Sequence, residues 1–70
     1  MKITVKNTVF EVFTQDAGYR MLSGVKKDGV KIHEWSLPTY SQNRRNLRSF
    51  MRRASEKTCK DLATNYAYLN

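Results

Sequence analysis

Val25-Lys26-Lys27-Asp28-Gly29-Val30-Lys31-Ile32 decides how the first half of the chain is read. Asp-Gly between two runs rich in β-formers is a strong hairpin signal, because a two-residue type I′ turn needs positive φ at both central positions. The turn predicts strands over 19–27 and 30–37, with Lys27 opposite Val30, Val25 opposite Ile32 and Leu22 opposite Trp35. That register puts Met21, Val25 and Ile32 on one face and Leu22, Trp35 and Leu37 on the other. Both faces are then partly apolar, which leaves open the one that meets the rest of the fold.

Upstream, Gln15-Asp16-Ala17-Gly18 interrupts the pattern, and Gly18 can take a backbone conformation closed to bulkier residues. Residues 1–13 read as an earlier hairpin turning at Lys6-Asn7. Its register sets Val5 against Thr8, Thr4 against Val9, Ile3 against Phe10, Lys2 against Glu11 and Met1 against Val12. Met1, Ile3, Val5, Phe10 and Val12 then share a face, and the Lys2/Glu11 pair lies on the other.

Downstream, Pro38 ends the sheet pattern and disfavours helical geometry at Leu37. Thr39 and Gln42 have capping-box spacing, which predicts a helix over 39–66. At 100° per residue, Leu47, Phe50, Met51, Ala54, Thr58 and Leu62 form its expected buried stripe. Arg44, Arg48 and Arg52 follow one another in a neighbouring sector that Cys59 and Tyr66 continue, with Arg45 beside them. Arg53, Lys57 and Lys60 occupy a third side. The expected fold class is α+β: a small antiparallel sheet of three or four strands, made of two hairpins, followed by one long C-terminal helix packed on a face.

Seventy residues fit one domain, 1–70, with a thin core. Lys and Arg outnumber Asp and Glu by 13 to 6, and the excess is concentrated after residue 38. Five arginines stand between Asn43 and Arg53 with no acidic residue among them. Guanidiniums crowded in this way repel one another and favour an anionic partner. Arg binds phosphate through a planar fork of donors, and four-residue spacing repeats every ~6 Å along a helix, compatible with a phosphate backbone. The bland alternative is a solvated basic face. Against it, Arg44 and Arg45 stand near the helix start, where cations are unfavourable.

Other chemistries fare less well. Arg20, Lys26, Lys31, His33 and Trp35 suggest a second basic and aromatic surface on the sheet, but a lone Trp in so short a chain is better used in the core. His33 and Glu34 are strand neighbours that point to opposite faces unless a bulge intervenes, which argues against shared acid-base work. Cys59, the single cysteine, forms no internal disulfide and suits a reducing cytoplasm. No cofactor or metal site is expected. A membrane role would require the stripe that covers the sheet, and no segment reads as a leader or spanning helix, so a soluble cytoplasmic protein without a membrane partner is expected.

The leading expectation is a non-enzymatic, basic nucleic-acid-binding module, with Arg44, Arg45, Arg48, Arg52, Arg53 and Lys57 on the phosphates of DNA or RNA. The alternative is a small inhibitor or adaptor, of phage or mobile-element type, docking on a larger nucleic-acid-processing machine. Its arginines would meet an acidic protein surface. Met51, Tyr66 and Tyr68 are the candidate docking residues for a partner chain or a homodimer, on a helix expected to overhang the sheet.

Overall fold

The computed structural model describes residues 1–40 and 43–69. Four strands, β1 (Lys2–Val5), β2 (Thr8–Asp16), β3 (Arg20–Lys27) and β4 (Val30–Pro38), precede one helix, α1 (Arg44–Leu69). The strands form an antiparallel meander in sequence order, and α1 packs on one face of it, giving an α+β fold. No helix among the described residues is long and apolar enough to cross a membrane.

Local chemistry accounts for the turns. Lys6 and Asn7 have φ of 51° and 66°, and Asp28 and Gly29 have 51° and 84°; these are the paired positive values that type I′ hairpins require. The first hairpin has the expected pairs from Val5↔Thr8 to Lys2↔Glu11. β2 runs on through Asp16, past the expected break at Gln15, and the chain turns at Gly18 with φ of 89°. Asp16 Oδ1 accepts the Gly18 amide at 2.8 Å, a local bond that favours this turn.

The second hairpin departs from uniform alternation. Lys27 pairs with Val30 as expected, but Val25 pairs with His33, while Lys26 pairs with Lys31. Ile32 is therefore an extra residue in β4, a bulge that shifts everything after it by one position. Trp35 now pairs with Ser23, and Leu37 with Met21, so both join the face of Met21 and Val25 instead of opposing it. Gly24 accommodates the kink. A Cβ at that position would lie 1.9 Å from the His33 carbonyl oxygen.

The helix also sits differently from expectation. Its buried residues are Met51, Ser55, Cys59 and Ala63, a seam rotated by roughly 100° from the expected stripe toward the arginine sector. Phe50 is 53% exposed at the rim, where its ring meets Trp35 edge-on at 6.3 Å between centroids. Leu47, Ala54, Thr58 and Leu62 are half-buried along one flank. Small side chains at Ser55, Cys59 and Ala63 let the helix backbone come close to the strands.

Polar atoms in this contact are satisfied as a chain. The Trp35 indole N–H donates to Ser55 Oγ at 3.1 Å, and Ser55 and Ser23 share a bond of 2.7 Å. Ser23 Oγ also reaches the Phe13 carbonyl at 3.1 Å. With Ser55 donating to Ser23 and Ser23 to Phe13, each hydroxyl donates once and accepts once. Toward the carboxyl end, Phe10, Val25, Cys59 and Ala63 form the apolar core, flanked by Ile3, Val5, Val12, Leu62 and Tyr66. Tyr66 lies edge-on to Phe10 at 5.6 Å and accepts the Thr8 hydroxyl at 3.1 Å.

The helix begins at Arg44, not Thr39. Its first bond runs from the Leu47 amide to the Asn43 carbonyl at 2.8 Å. Thr39 instead straps the β2–β3 turn, its amide donating to Tyr19 O at 3.0 Å and its hydroxyl to Gly18 O. The Gln42 half of the expected capping box lies outside the described residues.

Two substitutions check this packing. Met51→Ala is expected to cost about 2–5 kcal/mol, and Phe50→Ala clearly less, in urea denaturation; the reverse order would place the helix on the wrong face. Gly24→Ala forces the His33 carbonyl to move and is expected to cost about 3 kcal/mol or more. An unchanged thermal melt would contradict the bulge geometry.

Candidate nucleic-acid interface

Rotation of the helix decides which cations remain available. Arg48 and Arg44 lie about one and two turns before Met51, so they project over the end of the sheet. Arg44 Nη1 donates to both Asp16 oxygens, at 2.7 and 2.8 Å, and Arg48 Nη2 reaches the Thr14 carbonyl at 3.4 Å. Asp16 also offsets an awkward feature of α1, whose first turn carries two arginines and no acidic residue.

Arg45, Arg52, Arg53, Lys57 and Lys60 are exposed and make no ion pair among the described residues. Arg45 and Arg52 are seven residues apart and flank the sheet-facing seam. Arg53, Lys57 and Lys60 share the outward side at i, i+4 and i+7. Two carboxylates, Glu56 and Asp61, lie along the same stretch of helix. Lys57 thus stands with the arginines as expected, and Lys60 joins them.

Docking residues proposed from the sequence separate. Met51 is fully buried against the sheet, so it is not presented to a partner by the folded chain. Tyr66 is half-buried over Phe10, with the Lys27 ammonium 4.7 Å from its ring centroid. Tyr68 is 90% exposed on the last helical turn. The expected overhang therefore amounts to the end of α1, because Tyr66 still lies on the sheet.

On the sheet face away from the helix, the expected basic and aromatic surface is divided by the bulge. Arg20, Lys26 and Lys31 lie there with Phe13, whose ring has Lys26 Nζ and Lys31 Nζ at 5.6 and 5.1 Å from its centroid. His33 and Trp35 are on the helix side, across from Val25 and Ser23. Two cations of the open face are paired, Lys2 with Glu11 at 3.6 Å and Lys31 with Glu34 at 3.0 Å. Arg20 Nε donates to Ser36 Oγ at 2.9 Å. The outer helix is the better cationic surface, since it presents five exposed cations without an ion-pair partner among the described residues, whereas Arg20 and Lys26 are half-buried.

Among the described residues, Asp16 and Cys59 show a clear shift in acidity. The Arg44 guanidinium, aided by the Gly18 amide, holds the Asp16 carboxyl below its ordinary pKa. Burial pushes the Cys59 thiol up, which opposes the thiolate needed for nucleophilic or redox work. No three His, Cys, Asp or Glu side chains come together as a metal cluster among the described residues. Neither Asp16 nor Thr14 had been singled out from sequence, although the Asp16/Gly18 spacing is a turn signal that an Asx bond would explain.

Because the folded pKa of Asp16 is depressed, its stabilising contribution is present above the ordinary carboxylate range and is lost as pH falls through the lowered value. Asp16→Asn is therefore expected to melt below the wild type at neutral pH, with the gap closing on acidification. A gap that is constant with pH would remove the Asp16–Arg44 pair from the account. No protein family, curated protein or solved structure matches the chain, so its function is read from its own residues.

Proposed function

We propose that the chain is a small, non-enzymatic nucleic-acid-binding module whose helix lays its outer basic surface along a phosphate backbone. One observation carries the reading: Arg45, Arg52, Arg53, Lys57 and Lys60 are exposed together on α1 with no ion-pair partner among the described residues. Unmatched cations on one rigid element are kept at an electrostatic cost that a polyanion relieves. Arg44 and Arg48 hold the helix to the sheet in this scheme, and their phosphate role passes to their exposed neighbours. A single buried, unpaired thiol suits action in the reducing cytoplasm.

A second reading has one specific observation behind it. Phe50 is half-exposed against Trp35, and an aromatic anchor beside arginines is the composition of a protein-docking hot spot. In that case the chain is an inhibitor or adaptor whose cations meet carboxylates.

Fluorescence anisotropy on a random-sequence duplex and a matching single strand, at several salt concentrations, separates the two. Contact with four or five phosphates gives a slope of log affinity against log salt near −4 for duplex DNA. Arg52→Ala, Arg53→Ala and Lys57→Ala each make it shallower by about one, whereas Phe50→Ala leaves it unchanged. Absence of binding to either nucleic acid at about 50 mM salt would overturn the nucleic-acid reading.

A further inference from the structure

β1 is too short to cover β2. It spans four residues against nine, and its pairing with β2 stops at Lys2↔Glu11, extended by one bond from the Val12 amide to the Met1 carbonyl at 3.1 Å. From Phe13 to Asp16, β2 has β3 on one side and no strand on the other among the described residues. Hydrogen bonds in an antiparallel ladder alternate sides along each strand. Val9 turns its amide and carbonyl to Asp28 on the β3 side, and Val12 turns its amide to β1. By the same alternation Thr14 and Asp16 direct their N–H and C=O groups to the side that β1 has vacated. At Thr14 the carbonyl takes only the long 3.4 Å bond from Arg48.

The other outer edge of the sheet differs. β4 is blunted by its bulge, by Lys31 and by Pro38, which are common devices against strand addition. Phe13-Thr14-Gln15-Asp16 has no bulge, lysine or proline.

We infer that this open end of β2 is a docking edge for an extended acidic segment of another protein, added in line with β1. Residues of such a segment would alternate between the two sheet faces. Those on the helix side come under Arg48 and Arg52, which favours Asp or Glu; those on the open side stand next to Phe13, which favours an apolar residue. An incoming amide replaces Arg48 on the Thr14 carbonyl and frees the guanidinium for a carboxylate. A second copy of this chain is a poor occupant, because the edge already collects Arg44, Arg45, Arg48 and Arg52 against Asp16 alone, and pairing would double that excess. A nucleic acid is also a poor one, because a phosphodiester offers no donor to the Thr14 and Asp16 carbonyls.

The test uses the 70-residue chain with nothing added before Met1, since a leading tag could itself extend β1. The probe is a blocked, fluorescein-labelled peptide alternating Glu and Val, against a same-composition peptide with its Glu and Val in separate blocks. The alternating peptide is expected to bind about tenfold tighter and to slow hydrogen exchange of the Thr14 and Asp16 amides. Arg48→Glu should abolish that preference, and so should Thr14→Pro, which removes an amide that the β3 ladder does not use. The exchange measurement on the unaltered chain decides the matter if Thr14→Pro fails to fold. Equal affinity for the two peptides, or protection confined to other amides, overturns the docking edge. So does protection of Thr14 and Asp16 by an oligothymidylate. Arg53→Ala and Lys57→Ala should weaken oligonucleotide binding without changing peptide preference, so failure of either reading is separable from failure of the other.

Discussion

The chain of hydrogen bonds from the Trp35 indole through Ser55 to Ser23 is the constraint on which the rest of the fold depends. Both serines are fully buried, and a buried hydroxyl left unmatched costs about 1–3 kcal/mol. Satisfying them fixes which residues face one another. Trp35 must lie on the helix side of the sheet, which requires the Ile32 bulge, and the bulge requires Gly24 because the His33 carbonyl fills the space of a side chain. The helix must present Ser55 and not Ala54. That choice swings Arg44 and Arg48 over the sheet end and leaves Phe50 at the rim.

The +7 formal charge is not spread evenly, because the fold treats different cations differently. Some are neutralised on the open sheet face by Glu11 and Glu34. One, Arg44, is held by Asp16 and secures the start of the helix. A third group, Arg45, Arg52, Arg53, Lys57 and Lys60, stands exposed on α1 with no ion-pair partner among the described residues, on the other side of the sheet from the first group. A binding surface arises here from the placement of a few acidic residues as much as from the number of basic ones.

The hairpins were legible because their signals are local. Asp28-Gly29 and Lys6-Asn7 specify positive φ, and alternation then fixes the first register residue by residue. The bulge was not legible, since an extra residue in a strand changes no composition; Gly24 opposite it is the one trace, and a glycine in a strand has several causes. The helix face was misjudged because a hydrophobic wheel gives weight to Phe50 and Leu47 and little to Ser55 and Cys59, while packing here selects small side chains that admit a close approach. The arginines were found as a group, but which of them remain free depends on that rotation, a tertiary fact. The capping box failed for a related reason: Thr39 had a competing acceptor in Gly18 across the β2–β3 turn.

The order of elements along the chain has a bearing on how the protein is made. Each strand pairs with the one synthesised just before it, so the whole sheet can form from sequential hairpins with little loop closure. Its cover follows all four strands, in the 26-residue helix α1. Until that helix has left the ribosome, Phe10, Met21 and Val25 have nothing to be buried against, and the nascent sheet presents a bare apolar face to the cell. For this topology, pairing of the strands and burial of their apolar face are separate events, and a truncation that removes the seam of α1 leaves a sheet that chaperones and proteases will treat as unfinished.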